Sequence, residues 1–147
     1  MKGRRDFIKK TTAASTLLCC GVGLSSVLQS CGTSKRITST VVDGKLKILK
    51  SLFKENVYLI VSTDKLPYPI YLYKNEQKEY AAFLMLCTHV NCELSATSKS
   101  LICPCHGSEF SVKGEVTQGP AQRNLREFTT SETENEIIIE LKNSKNE

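Results

Sequence analysis

From Val41 onward, apolar residues recur in short alternations and runs that never hold a helical period. Leu46 and Ile48 alternate with lysines, with Leu52 as a further member, and predict an edge strand. Residues 56–62 (N-V-Y-L-I-V-S) are β-branched and aromatic and predict a buried strand, broken by Pro67 and Pro69. Residues 70–73 predict the next strand and residues 75–78 a polar turn. Residues 80–86 predict a strand that runs straight into Cys87, and Leu101 and Ile102 lead into Cys103 in the same way. Short strands follow at 109–112, 115–116 and 125–129, with turns at Gly114 and Gly119. A polar turn at 131–136 precedes a last strand at 137–141. Short strands at close spacing predict an all-β domain of stacked antiparallel sheets, with no internal repeat.

The first forty residues follow another pattern. Residues 11–28 are weakly apolar and rich in Ala, Gly, Ser and Thr, and residues 32–40 are polar without a period. The 147 residues carry a net charge of +5, but five basic residues and one acid fall in residues 1–30. From Cys31 on, fifteen basic and fourteen acidic residues nearly cancel. A nearly neutral domain gives no ground for nucleic-acid binding. The chain divides into a targeting segment at 1–30, a flexible linker at 31–40 and one domain at 41–147. Fully extended, residues 32–40 reach about 30 Å.

A charged start before a short apolar run is a secretory layout. Arg4-Arg5-Asp6-Phe7-Ile8-Lys9-Lys10 resembles a twin-arginine signal, the route by which bacteria export folded proteins. Leu28 and Ser30, three and one residues before Cys31, with Gly32 behind, resemble a lipoprotein processing site; Gln29 departs from its usual small residue. The expectation is lipidation at Cys31. Otherwise residues 11–28 stay as an uncleaved anchor, near the short limit of about 18 residues for a membrane span. Either way the domain is tethered at the periplasmic face of the inner membrane. Cys19 and Cys20 read as bystanders.

The chemistry gathers in the 22 residues from Cys87 to Ser108, which hold both histidines and four of the seven cysteines. Two ligand pairs stand out, Cys87-x-His89 and Cys103-x-x-His106. Thiolate and imidazole hold soft or borderline metals. Two readings remain open on the residues alone. One is a Cys2His2 zinc site. The other is a [2Fe-2S] cluster with two cysteines on one iron and two histidines on the other. Zinc leaves Cys92 and Cys105 without a use.

Cys87-Thr88-His89-x-x-Cys92 and Cys103-Pro104-Cys105-His106-Gly107-Ser108 resemble the two cluster-binding loops of Rieske iron–sulfur proteins, in the subgroup of cytochrome bc-type quinol-oxidising complexes. Gly119-Pro120-Ala121 matches the proline loop of that family, and the resemblance spans residues 56–141. It implies that Cys87 and Cys103 hold the inner iron, that His89 and His106 hold the outer one, and that Cys92 and Cys105 form a disulfide. The cluster-binding subdomain falls at about residues 85–122. The thirteen residues between His89 and Cys103 are fewer than the family usually shows, which points to a clipped turn at 95–100. The ligand loops are expected to have little core beneath them, so that the bridge clips them together.

Two imidazoles in place of two thiolates make the cluster less negative and raise its potential, to about −150 to +300 mV against about −400 mV for all-cysteine ferredoxins. The histidines couple the electron to a proton. Ser108 matches the family serine that donates to a bridging sulfide, and Phe110 replaces a tyrosine that donates to a ligand sulfur in high-potential members. The potential should lie below the top of the range, as a menaquinol chain requires. Val90 and Asn91 stand where Leu-Gly is frequent, with Asn91 suited to the left-handed conformation. The expected function is an electron-transfer subunit rather than an enzyme alone, taking electrons from a quinol or cytochrome b-like subunit and passing them to a cytochrome. A Rieske subunit of an arsenite-oxidase-like periplasmic enzyme is the alternative. A ring-hydroxylating oxygenase is excluded, because no histidine is left for its mononuclear iron.

Overall fold

The structure is a computed structural model, and it describes residues 35–144. The twin-arginine stretch, the apolar run with Cys19 and Cys20, and Cys31 lie outside the described residues. Seven strands form the larger sheet: β1 (Lys35–Thr38), β2 (Lys45–Leu49), β3 (Tyr58–Ser62), β4 (Ile70–Lys74), β5 (Tyr80–Leu84), β10 (Glu127–Glu132) and β11 (Glu136–Ser144). Their order is β1-β3-β4-β5-β10-β11-β2. The smaller sheet runs in chain order through β6 (Ser95–Ala96), β7 (Ser100–Ile102), β8 (Glu109–Ser111) and β9 (Val116–Gln118). The all-β expectation holds. Every strand pairing is antiparallel except β1 with β3.

Several expectations need correction. Lys35–Thr38, read as linker, is a strand that pairs in parallel with β3 from Lys35 opposite Leu59 to Thr38 opposite Ser62. The outer edge of β3 supplies the hydrogen bonds, and Ile37 packs against the core. Leu52 lies in a 3-10 turn, Lys50–Phe53, instead of extending β2. Leu125 is fully buried yet precedes β10; the Leu125 N–H donates to the Gly114 carbonyl outside any ladder. Conversely, polar Ser131 and Glu132 are strand, because β11 pairs with them.

Two cores explain why the central strands read as apolar on both faces. On one face, Leu59, Val61, Ile70, Leu72, Ala82 and Leu84 join Leu46, Phe128 and Ile139. On the other, Tyr58, Tyr71 and Phe83 join Met85, Leu94, Leu101, Phe110 and Leu125 beneath the smaller sheet. Residues alternate between the two cores along each strand, as the pleat requires. The second core includes Cys87 and Cys103. The ligand loops therefore sit on a core of their own, contrary to the expectation of little support. Tyr58 and Tyr71 reach across it: their hydroxyls donate to the carbonyls of Ala96 (3.1 Å) and Thr97 (3.4 Å) in the β6–β7 hairpin. Burial pushes the Tyr71 phenol well up. That hairpin occupies the shortened stretch at 95–100, where Thr97 Oγ1 accepts from the Lys99 and Ser100 amides.

Candidate metal centre

β5 runs toward Cys87 and β7 toward Cys103, and each cysteine opens the same turn. The cysteine N–H donates to the carbonyl five residues on, Cys87 to Cys92 and Cys103 to Ser108, both at 2.8 Å. The cysteine carbonyl accepts from the amide four residues on, Asn91 and Gly107, both at 3.0 Å. That fourth residue is left-handed in both loops, with φ of 58° at Asn91 and 74° at Gly107. The turn needs a residue that tolerates this region, and asparagine and glycine do. The expectation for Asn91 holds.

The two loops face each other. Cys87 and Cys103 are 0% and 1% exposed and belong to the same core. His89 and His106 are exposed, with ring centroids 5.2 Å apart and planes at 85°. The Cys92–Cys105 disulfide joins the loops, with S–S of 2.05 Å and Cα atoms 6.6 Å apart. Thiols thus lie inside, imidazoles outside, and a covalent tie holds one loop to the other. The two imidazoles are brought together, and so are the two bridging cysteines, while Cys87 and Cys103 share the second core.

Burial pushes the Cys87 thiol up, but the amides of His89 and Val90, the Cys103 thiol and the Ser108 hydroxyl outweigh it and hold it below its ordinary value. These groups favour the thiolate, the form that binds iron. Ser108 is fully buried and has a second task, since its Oγ accepts from the Ala121 N–H at 3.0 Å. The resemblance gave Ser108 a sulfide partner; the structure adds a hydrogen bond to the proline loop, residues 119–121. Phe110 is fully buried in the second core.

Further polar residues hold the loops, and pattern reading did not single them out for this. Thr88 Oγ1 donates to the Arg123 carbonyl at 2.6 Å, and the Tyr68 hydroxyl to the Asn91 carbonyl at 3.1 Å. Gln118 Nε2 donates to the Gly107 carbonyl at 3.0 Å, beside His106. Asn124 Oδ1 accepts from the Val116 N–H at 3.0 Å and braces the same region. A cleft of about 460 Å³ opens beside His89, lined by Thr88, His89, Pro120, Gln122 and Arg123.

Residues 44–129, more than half of the chain, match the family model described as "Rieske [2Fe-2S] domain". The chain belongs to the Rieske family. Such a domain binds one [2Fe-2S] cluster, and the zinc reading falls away. The chain is 33% identical over 75 residues to the cytochrome b6-f complex iron–sulfur subunit of Microcystis aeruginosa, covering 48% of this chain and 42% of that protein. It is 39% identical over 61 residues to the subunit of that name from Prochlorococcus marinus, 39% of this chain and 34% of that protein. It thus spans less than half the length of these curated relatives. Among solved structures, the cyanobacterial plasma membrane Rieske protein PetC3 from Synechocystis PCC 6803 matches with a TM-score of 0.55 and 30% identity, over 62% of this chain and 93% of that one. A chain from a complex of oxygenase and ferredoxin in carbazole 1,9a-dioxygenase shares the fold, with a TM-score of 0.57 at 22% identity.

The residues of this Rieske domain fit the cluster. A buried thiol pair, one member eased toward thiolate, faces an exposed imidazole pair, and that is the donor set a cluster of mixed ligation requires.

Proposed function

We propose that this Rieske protein is the iron–sulfur subunit of a membrane quinol-oxidising complex of the cytochrome bc class. Cys87 and Cys103 would hold one iron of its cluster, and His89 and His106 the other. When bound, the cluster supplies one-electron transfer. The observation that carries the reading is the placement of both imidazoles at the surface while both thiols are buried. A donor can reach the histidine side of the site, and the second core keeps water from the cysteine side. The exposed ring of His89 or His106 takes the proton of a quinol hydroxyl at its outward nitrogen, so electron and proton leave the donor together. The cleft beside His89 admits the quinol ring, with Gln122 and Thr88 at its wall. A cytochrome is the acceptor.

The similarity to cytochrome b6-f iron–sulfur subunits supports the choice of complex. The resemblance of the Arg4-Arg5 stretch to a twin-arginine signal and of Cys31 to a lipoprotein processing site supports a domain tethered at the periplasmic face of the inner membrane. With Phe110 in place of a donating tyrosine, the potential suits menaquinol, and Phe110→Tyr should raise the midpoint in a redox titration. No rise would refute that part. The complex itself is tested by purifying the full chain from detergent-solubilised membranes of its native host. A cytochrome b should come with it. Recovery with a molybdenum subunit, or alone, would overturn the assignment.

A further inference from the structure

Cys103 has a neighbour that the cluster chemistry does not use. Its Sγ lies within 4.8 Å of both sulfurs of the Cys92–Cys105 bridge. Cys103 is buried, Cys92 is half-buried and Cys105 is exposed. A nucleophile thus stands on the inner side of the disulfide, and a leaving group stands on the outer side.

We propose that Cys103 is a latent exchange nucleophile. When iron does not hold its sulfur, Cys103 attacks Cys92 Sγ and moves the bridge from Cys92–Cys105 to Cys92–Cys103. The inference rests on the reading of Cys103 as a cluster ligand. In the step, the Cys92–Cys105 S–S bond breaks and a Cys92–Cys103 bond forms. The electron pair leaves on Cys105 Sγ, and the proton lost by Cys103 ends there. One thiol is consumed and one released, so no oxidant or reductant is needed. Cys92 is the target rather than Cys105, because a Cys103–Cys105 bridge would close over Pro104 alone, whose ring fixes φ. Cys92 lies on the facing loop, already at the contact.

The exchange has a consequence for assembly. It removes one of the two buried thiols that receive iron and exposes a thiol beside His106. Iron on Cys103 prevents it. The cluster therefore protects the bridge as the bridge holds the loops, and loading of iron must precede oxidation of Cys92 and Cys105.

The test uses the full chain purified with its cluster. Iron is withdrawn by a chelator without oxygen, free thiols are alkylated at intervals, and labelled positions are read by non-reducing mass spectrometry. Labelling at Cys105 should rise as labelling at Cys103 falls, one for one, with the number of free thiols constant. Protein that keeps its iron should show neither change. In Cys103→Ser, Cys105 should stay unlabelled. Persistent labelling at Cys103 with none at Cys105 would overturn the proposal, as would labelling at Cys105 in Cys103→Ser without added thiol. Iron and acid-labile sulfide are measured before chelation; their absence would overturn the cluster reading separately, while the labelling pattern still decides the exchange.

Discussion

The loop that begins at Cys87 and the loop that begins at Cys103 close the same two hydrogen bonds and bend through the same left-handed residue, yet they offer their ligands at different steps. In the first, the imidazole is two residues past the cysteine; in the second it is three past, and a cysteine takes the second place. The fifth place differs too, as Cys92 in one loop and Ser108 in the other. The disulfide therefore joins the fifth place of the first loop to the second place of the second. One backbone frame, used twice with different side chains, yields two ligand pairs, a covalent tie and a buried hydroxyl. The supports differ as well. Half-buried Thr88 and Tyr68 hold the first loop, whereas the second depends on fully buried Ser108 and on exposed Gln118.

Cutting the tie should have the largest effect. Changing Cys92 and Cys105 together to Ser, with the cluster in place, should lower stability by about 3 kcal/mol in the chain-entropy model for a loop of this size. Urea unfolding followed by cluster absorbance reads it. A loss near zero would mean that the shared core alone sets the loops against each other.

Next comes the asymmetry at the fifth place. Ser108→Ala strands the buried Ala121 N–H and should cost about 1–3 kcal/mol. It should also lower the midpoint potential, because a donor to the cysteine side is lost. Stability lost without a fall in potential would separate the proline-loop role of Ser108 from its electronic one.

The fourth place tests the likeness itself. Gly107→Ala puts a Cβ into open space at φ +74°, so only backbone strain of roughly 1–2 kcal/mol should appear. Asn91→Gly should change stability by no more than about 1 kcal/mol, since asparagine already adopts the left-handed region. A larger cost for Asn91→Gly than for Gly107→Ala would mean that the loops are less alike than their hydrogen bonds. Comparable to Asn91→Gly are the single side-chain supports: Thr88→Val and Gln118→Ala should each cost about 0.5–1.5 kcal/mol in thermal unfolding. Thr88→Val is expected to be the larger, given its 2.6 Å bond against 3.0 Å for Gln118.

These supports also mark what a single chain of letters carries. The ligand stretch was readable because Cys and His are rare and their spacing is chemical. The central strands were readable because both their faces are apolar. Asn91 could be placed because few residues tolerate its backbone region. β1 could not, since four largely polar residues become a strand only when an edge of β3 is there to pair with. The hydrogen bonds of Gln118 and Thr88 left no pattern, because a polar side chain in a short strand or turn looks alike whether or not it holds a carbonyl. Leu125 read as strand because burial and extension leave the same apolar mark; its amide bonds to Gly114 instead of a ladder.

The central claim is that one iron of the cluster is held by His89 and His106. The chain has two histidines in all, so labelling every histidine with ¹⁵N marks those two positions alone. Electron–nuclear double resonance on the reduced full-length protein should resolve two ¹⁵N couplings of comparable size. A single coupling, or none, would contradict the account.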